Sequence, residues 1–158
     1  MAEVLIEEDA YASLPINLLN KPTSQKSDWD SVWTADRAVD SNDNTFSHTE
    51  CNGDQWWRVD LEATYLLAKI TIVNRKNCCG DRLSGAIVRA GLNSDHTQNC
   101  VIGCPVTATQ ATNGAVIDFR TSPIVSGRYV SVELSGECLQ LAEVMIGEAV
   151  DAVSLIVT

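Results

Sequence analysis

The chain has no apolar run near the roughly 20 residues that a membrane-spanning helix needs, so helical membrane insertion is not expected. It is also short of positive charge: 11 lysines and arginines stand against 21 aspartates and glutamates, for a formal net charge of −10. That balance argues against nucleic acid and anionic membrane as partners, because both require a positive surface. No Asn-x-Ser/Thr acceptor occurs, so N-glycosylation gives no sign of the compartment. There is no Cys-x-x-Cys pair, and only His48 and His96 could join cysteines around zinc, so a zinc site is not expected. The opening MAEVLIEEDAY carries acids where a secretory signal needs positive charge and then a long apolar stretch. A mature chain preceded by an added Met1 reads the same way.

Helical periodicity is missing too, as are repeats and low-complexity tracts. In their place stand short segments rich in β-branched residues, separated by Gly, Asn, Asp, Ser and Pro clusters. In Leu66 to Asn74 (LLAKITIVN), Leu67, Ile70 and Ile72 can face a core while Lys69 and Thr71 face out, with one irregularity near Ala68. Similar segments are GAIVRA from Gly85, AVIDFR from Ala115, RYVSVEL from Arg128 and LQLAEVMI from Leu139. Many short strands at these intervals predict an all-β fold, a sandwich or barrel, in one domain of ordinary size. Residues 1–16 and 149–158 read as extensions on a domain of residues 17–148. The apolar C-terminal ten are an extra strand or an edge that pairs with a second subunit.

The six cysteines are Cys51, Cys78, Cys79, Cys100, Cys104 and Cys138, an even number that points to disulfides and an oxidising, extracellular compartment. Cys78 and Cys79 are adjacent. They either close an eight-membered ring on each other or pair with distant partners. A closed ring would present a rigid sulfur ledge to the C–H face of a sugar. Arg75 and Arg82 flank the pair, and their planar forks donate in pairs to fixed acceptors such as vicinal hydroxyls. His48 offers a further ring nitrogen. Taken singly, each of these residues reads as an ordinary surface charge or loop residue; only the joint spacing carries weight. Upstream, Arg37 to Asn44 (RAVDSNDN) is dense in the oxygen ligands that calcium prefers, without EF-hand spacing.

The spacing His-x26-Arg-x6-Arg, with Cys-Cys inside the second interval, resembles the signature of the F-type lectin (fucolectin) family, and WWRVDL from Trp56 is similar to a core strand shared with discoidin-type domains. The resemblance runs from about Asn17 to Gly147. It implies a jelly-roll β-sandwich of the galactose-binding, discoidin-like kind, and a fucose pocket formed by His48, Arg75 and Arg82 over a Cys78–Cys79 disulfide. Phe46 is the candidate wall for the sugar's methyl group. The resemblance further implies a structural calcium held by Asp40, Asn42 and Glu143, with main-chain carbonyls of Arg37 and Ala142 and either Thr45 or Ser47. One departure stands out: Asn77 replaces the acid usual two residues after the first arginine. By elimination, the remaining disulfides are Cys100–Cys104 and Cys51–Cys138, out of fifteen arrangements open to six cysteines.

The expected function is therefore a secreted lectin for terminal L-fucose on glycans, displayed as a homo-oligomer or in tandem, because a single shallow sugar site binds weakly. The alternative is a discoidin-like adhesion module for a protein or lipid surface, which exposed tryptophan would favour. Trp29, Trp33, Trp56 and Trp57 are read as core or lid packing. An enzyme is not expected. No carboxylate pair is marked for glycoside hydrolysis, and a cysteine nucleophile beside His48 would need a free thiol.

Overall fold

In a computed structural model the protein is described over residues 11–151, and these form nine β-strands with three short 3-10 turns. The strands are β1 (Tyr11–Pro15), β2 (Thr23–Gln25), β3 (Ser47–His48), β4 (Asp54–Val73), β5 (Ile87–Gly91), β6 (Cys100–Ile102), β7 (Val116–Ser135), β8 (Gln140–Leu141) and β9 (Glu143–Asp151). All pairings are antiparallel; the main sheet runs β1-β9-β4-β7-β5-β6 with β2 added beside β4, while β3 and β8 pair separately.

Two 20-residue strands, β4 and β7, organise the sandwich. Their pairing breaks between Asp60 and Tyr65, and again between Leu67 and Lys69. The first break is fixed locally. Glu62 adopts a left-handed φ of 66°, its amide donates to Asp60 Oδ1, and Arg128 grips both oxygens of Asp60 at 2.8 and 3.1 Å. The second break reverses which residue parity faces inward, as β-bulges do. Before it Trp57, Val59, Leu61 and Leu67 are fully buried; after it Ile70 and Ile72 are. This is the irregularity expected near Ala68. One apolar cluster draws on both halves of β4 and of β7, which makes the fold the β-sandwich that the strand pattern implied.

Trp57 anchors that core. It is wholly enclosed, and its indole N–H donates to the carbonyl of Ala35 at 2.9 Å, so the one polar atom of a large apolar side chain is satisfied. That bond also fixes the turn Ala35–Val39, which leads into the acidic loop. Trp56, its neighbour on the opposite face, is only partly covered, and Trp33 stacks on Phe46 at 4.4 Å.

Tyr11–Pro15 and Gly147–Asp151, which fall wholly or largely in the two presumed extensions, pair with each other and add a strand to the sheet. Residues 1–10 and 152–158, with the self-association surface expected of them, lie outside the described residues.

Two of the three expected disulfides are present, Cys78–Cys79 and Cys51–Cys138. The third is corrected: Cys100 and Cys104 are exposed free thiols. Cys100 begins β6, with its register fixed by Ala90. Extended chain advances about 3.3 Å per residue, so the run to Ile102 already uses most of the roughly 7 Å that a disulfide can span between Cα atoms. Proximity in sequence suggested a small loop, whereas the chain from Cys100 to Ile102 is held extended.

Candidate functional site

Four segments converge at one end of the sandwich: the loop 29–33, the β3–β8 pair, the segment Asn74–Leu83, and the turn Ser135–Cys138. His48 sits at their centre. Its register partner on β8 is Gln140. Its backbone N–H donates to the carbonyl of Trp33, and its carbonyl accepts from the amide of Trp29. The ring is buried. Nδ1 lies 2.7 Å from the carbonyl oxygen of Thr49, which can only accept, so Nδ1 carries the proton. Nε2 then accepts from the side-chain amide of Gln140 at 2.8 Å. Burial holds the ring's pKa below its usual 6.5; the bond to Thr49 opposes this, and the charges of Arg75 and Arg82 reinforce it. The histidine is therefore neutral at pH 7, in one tautomer. Gln140 carries no signal in the sequence, and only strand register reveals its role.

Arg75 extends over the ring of Phe46, with its guanidinium carbon 4.2 Å from the ring centroid. Its Nε donates to Asn77 Oδ1 at 2.7 Å. Asn77 thus orients Arg75 although it carries no charge; a side-chain carbonyl oxygen at that position suffices. Burial and the neighbouring Arg82 both pull the Arg75 pKa down, which places the two guanidiniums in one field. Arg82 faces Glu137, Nε to Oε1 at 4.0 Å. Glu137, distant in sequence, is thus the acid that faces Arg82.

Between the arginines, the Cys78–Cys79 ring is half-buried. Cys79 has φ 65°, a left-handed conformation rare outside glycine. The backbone just after it is pinned: the Asn74 side chain donates to the carbonyls of Gly80 and Thr112 at 2.9 Å, and Asn113 Oδ1 accepts from Gly80 N at 2.8 Å. Gly80 is required by close approach. A Cβ there would lie 2.5 Å from the backbone of Thr112 and Asn113.

The acidic loop lies behind Phe46. Asp40 Oδ1 accepts from Asn42 N, and Asn42 Oδ1 from Asn44 N, both at 3.0 Å. Thr45 Oγ1 donates to Asp40 Oδ2 at 2.5 Å and lies 2.9 Å from the Asn42 carbonyl. From β9, Glu143 lies beside the side chain of Asp40 and the backbone of Ser41 and Asn42. Its pKa is pushed up to about 8, first by burial and then by the bond to Asp40 and its charge. Its Oε1 is buried and has no hydrogen-bond partner. A Glu143 carboxyl raised by burial beside Asp40, an orphaned buried oxygen and a surrounding shell of hard oxygen donors are what a divalent cation would satisfy. Of the residues expected at this centre, Asp40, Asn42 and Glu143 come together. Between the alternatives Thr45 and Ser47, Thr45 joins them, whereas buried Ser47 directs its hydroxyl to the Leu141 carbonyl. Lys76 Nζ meets Asp43 at 2.9 Å, which ties this loop to the arginine segment.

Trp29 differs most from its expected role. It is 56 % exposed, and its ring lies 5.3 Å from that of His48.

A family model described as a NedA-like, galactose-binding domain matches residues 37–132. Fucolectin-6 of Anguilla japonica is 32 % identical over 155 residues, an alignment covering 91 % of this chain and 81 % of that protein. Among solved structures, the F-lectin from striped bass (Morone saxatilis) serum superposes with a TM-score of 0.77 at 28 % identity, over 85 % of this chain and 49 % of that longer one. The lectin domain of lectinolysin complexed with Lewis B antigen does so with a TM-score of 0.69 at 30 % identity, over 83 % of this chain and 94 % of that domain.

Proposed function

For a chain that belongs to the fucolectin (F-type lectin) family, we propose that the His48–Arg75–Arg82 cluster binds terminal L-fucose on glycans. The observation that carries this reading is two guanidiniums close enough to lower each other's proton affinity, on the segment that carries the Cys78–Cys79 disulfide and near a neutral histidine. Among the described residues, the terminal amino groups of Arg75 and Arg82 make no hydrogen bond within the protein, so they are free to donate to sugar hydroxyls and the ring oxygen. The disulfide supports the sugar's apolar face. Phe46 is buried under Arg75 and serves to aim it, more than to wall the pocket. A hydroxyl that reaches His48 Nε2 takes the place of the Gln140 amide.

Calcium is the cation proposed for the acidic loop. Asp40, Asn42, Thr45 and Glu143, with the carbonyls of Arg37 and Ala142, would hold it. Bound there, it would supply charge that replaces the proton of Glu143 and would stiffen the loop behind Phe46. The domain acts outside the cell as a binding module; the disulfides and the serum origin of the striped bass relative support that setting. Display in several copies would raise avidity over that of one shallow site. The exposed tryptophan that a discoidin-like adhesion module would favour, Trp29, stands with its ring 5.3 Å from that of His48.

Calorimetry with L-fucose tests the pocket. The calcium-loaded chain is expected to bind saturably, and Arg82→Ala, which leaves the core untouched, to lose at least about 100-fold in affinity, or about 2.7 kcal/mol. Equal affinities would remove Arg82 from the site. Asn77→Ala frees Arg75 from the one side-chain hydrogen bond it makes among the described residues. A loss of about 3- to 10-fold is expected, in line with the net worth of one typical hydrogen bond in an exposed setting, with recovery in Asn77→Asp. An Asn77→Ala chain that binds as tightly as the parent would show that Phe46 alone aims the arginine.

A further inference from the structure

Strand register places Ile87 of β5, Glu133 of β7 and Trp56 of β4 side by side in one row. One residue on, the same strands bury Val88, Val132 and Trp57 in the core, so the row itself lies on the outer face of the sheet. The loop from Leu92 to Asn99 folds back over it. Glu133 Oε1 accepts from Arg89 Nε at 2.7 Å and from His96 Nδ1 at 3.1 Å. The His96 ring stands 5.7 Å from that of Trp56. Arg58 donates to the Ser94 carbonyl, and Arg89 to that of Asn99 at 2.9 Å, so the loop is tied down on both sides of His96. Loop and sheet leave a cavity of about 290 Å³ between them, whose lining includes Asp54, Trp56, His96, Glu133 and Ser135. That is close to the lower limit of about 300 Å³ for small-ligand sites. None of His48, Arg75, Cys78, Cys79 or Arg82 lines it, so it is separate from the pocket already described.

We propose that this cavity is a second, independent site for an amino sugar, a hexosamine whose nitrogen is a free ammonium. The unused polar atoms decide the class. Arg89 and His96 both engage Oε1 of Glu133, and Oε2 makes no hydrogen bond among the described residues. Asp54, exposed at the rim, accepts from the Ser135 hydroxyl at 2.6 Å through Oδ1, which leaves Oδ2 for a ligand. Two carboxylates thus face the cavity, while Arg89, which engages one of them, is not part of its lining. Acceptors of negative charge call for a ligand that donates and is not anionic. An ammonium offers three donors and no acceptor, makes charge-assisted bonds to carboxylates, and is attracted to an indole ring such as that of Trp56. Ile87 and Leu134 supply the apolar wall for the ring's C–H groups. The side chains of His96 and Glu133 are only 16 % and 25 % exposed, so the site is ordered before a ligand arrives. N-acetylation removes the charge and two of the three donors, and so removes the basis of recognition.

Calorimetry with a β-1,4-linked glucosamine trimer and its fully N-acetylated counterpart, in buffer acidic enough to keep the amine protonated, tests the site. The parent chain is expected to bind the amine form at least about 10-fold tighter than the acetylated form, the worth of one charge-assisted hydrogen bond. Asp54→Asn and Glu133→Gln, which keep shape and remove charge, are each expected to lose about 10-fold in affinity for the amine form at an unchanged melting temperature. Asp54 is exposed, so its variant reports on the site even if Glu133→Gln loosens the loop. Saturating L-fucose is expected to leave the affinity for the trimer unchanged. Equal affinity for the two trimers, or no binding of either, would overturn the proposal. An affinity for the amine form that neither variant lowers would reduce it to general attraction by an acidic chain. Displacement of the trimer by L-fucose would move it into the His48 pocket and overturn the second site.

Discussion

A Cys51→Ala/Cys138→Ala double variant is expected to melt about 9–18 °C below the parent chain. The bond joins residues 87 positions apart, and closing a loop of that length removes about 4.5 kcal/mol of chain entropy from the unfolded state. For a domain of this size, each kcal/mol corresponds to roughly 2–4 °C. The two ends also bracket the site. A His48 ring nitrogen and both sulfurs lie within 4.8 Å of one another, and Cys138 is almost fully enclosed. The disulfide thus clamps the loop after β3 to the strand that presents Gln140 to His48. L-Fucose affinity, measured well below the lowered melting point, is expected to fall with stability. A double variant that melts within about 3 °C of the parent would show that the β3–β8 hydrogen bonds alone fix this region.

That clamp was legible in the sequence only by elimination, and elimination also produced the pairing of Cys100 with Cys104, which the structure does not contain. The difference is physical. Cys100 is held extended by its ladder with Ala90, and ladder register is a long-range property that residue spacing does not encode. Where the signal is local, the sequence sufficed. The alternation in Leu66–Asn74 and its break near Ala68 appear as one strand with a bulge between Leu67 and Lys69. Arg75, Arg82 and the adjacent cysteines were legible because seven residues fix them relative to each other in any compact loop. Gln140 and Glu137 were not, since each reaches the site across more than fifty residues of intervening chain. Asn77 stood out as a departure from the usual acid, yet its neutral carbonyl oxygen still accepts from Arg75 Nε at 2.7 Å. Trp29 was misread because composition says that tryptophan is buried, and nothing in the residues around it says that it is not.

Chelation of calcium is expected to have the second large effect, and one that depends on pH. For an ion held with Kd near 10⁻⁴ M, as in extracellular modules, supply at a hundredfold excess adds about 2.7 kcal/mol, or roughly 5–11 °C of melting temperature. The sign of the pH dependence follows from Glu143. Its carboxyl titrates near 4.5 when unfolded and at about 8 in the calcium-free fold. A group whose pKa is raised on folding contributes stability that is fully present below the unfolded value and is lost as pH rises through the folded one. The calcium-free protein is therefore expected to weaken between about pH 4.5 and pH 8, as the proton of Glu143 leaves and its partly buried carboxylate faces that of Asp40. Calcium would replace that proton, so its stabilisation is expected to grow over the same window. Differential scanning calorimetry in calcium and in chelator, at pH 6 and at pH 8.5, should show the larger gap at pH 8.5. Glu143→Gln, which removes the titrating charge, should make the chelated protein insensitive to pH over this range and abolish most of the calcium effect. Equal gaps at the two pH values would mean that the cation binds without displacing the proton, and no gap at either would remove calcium from this loop.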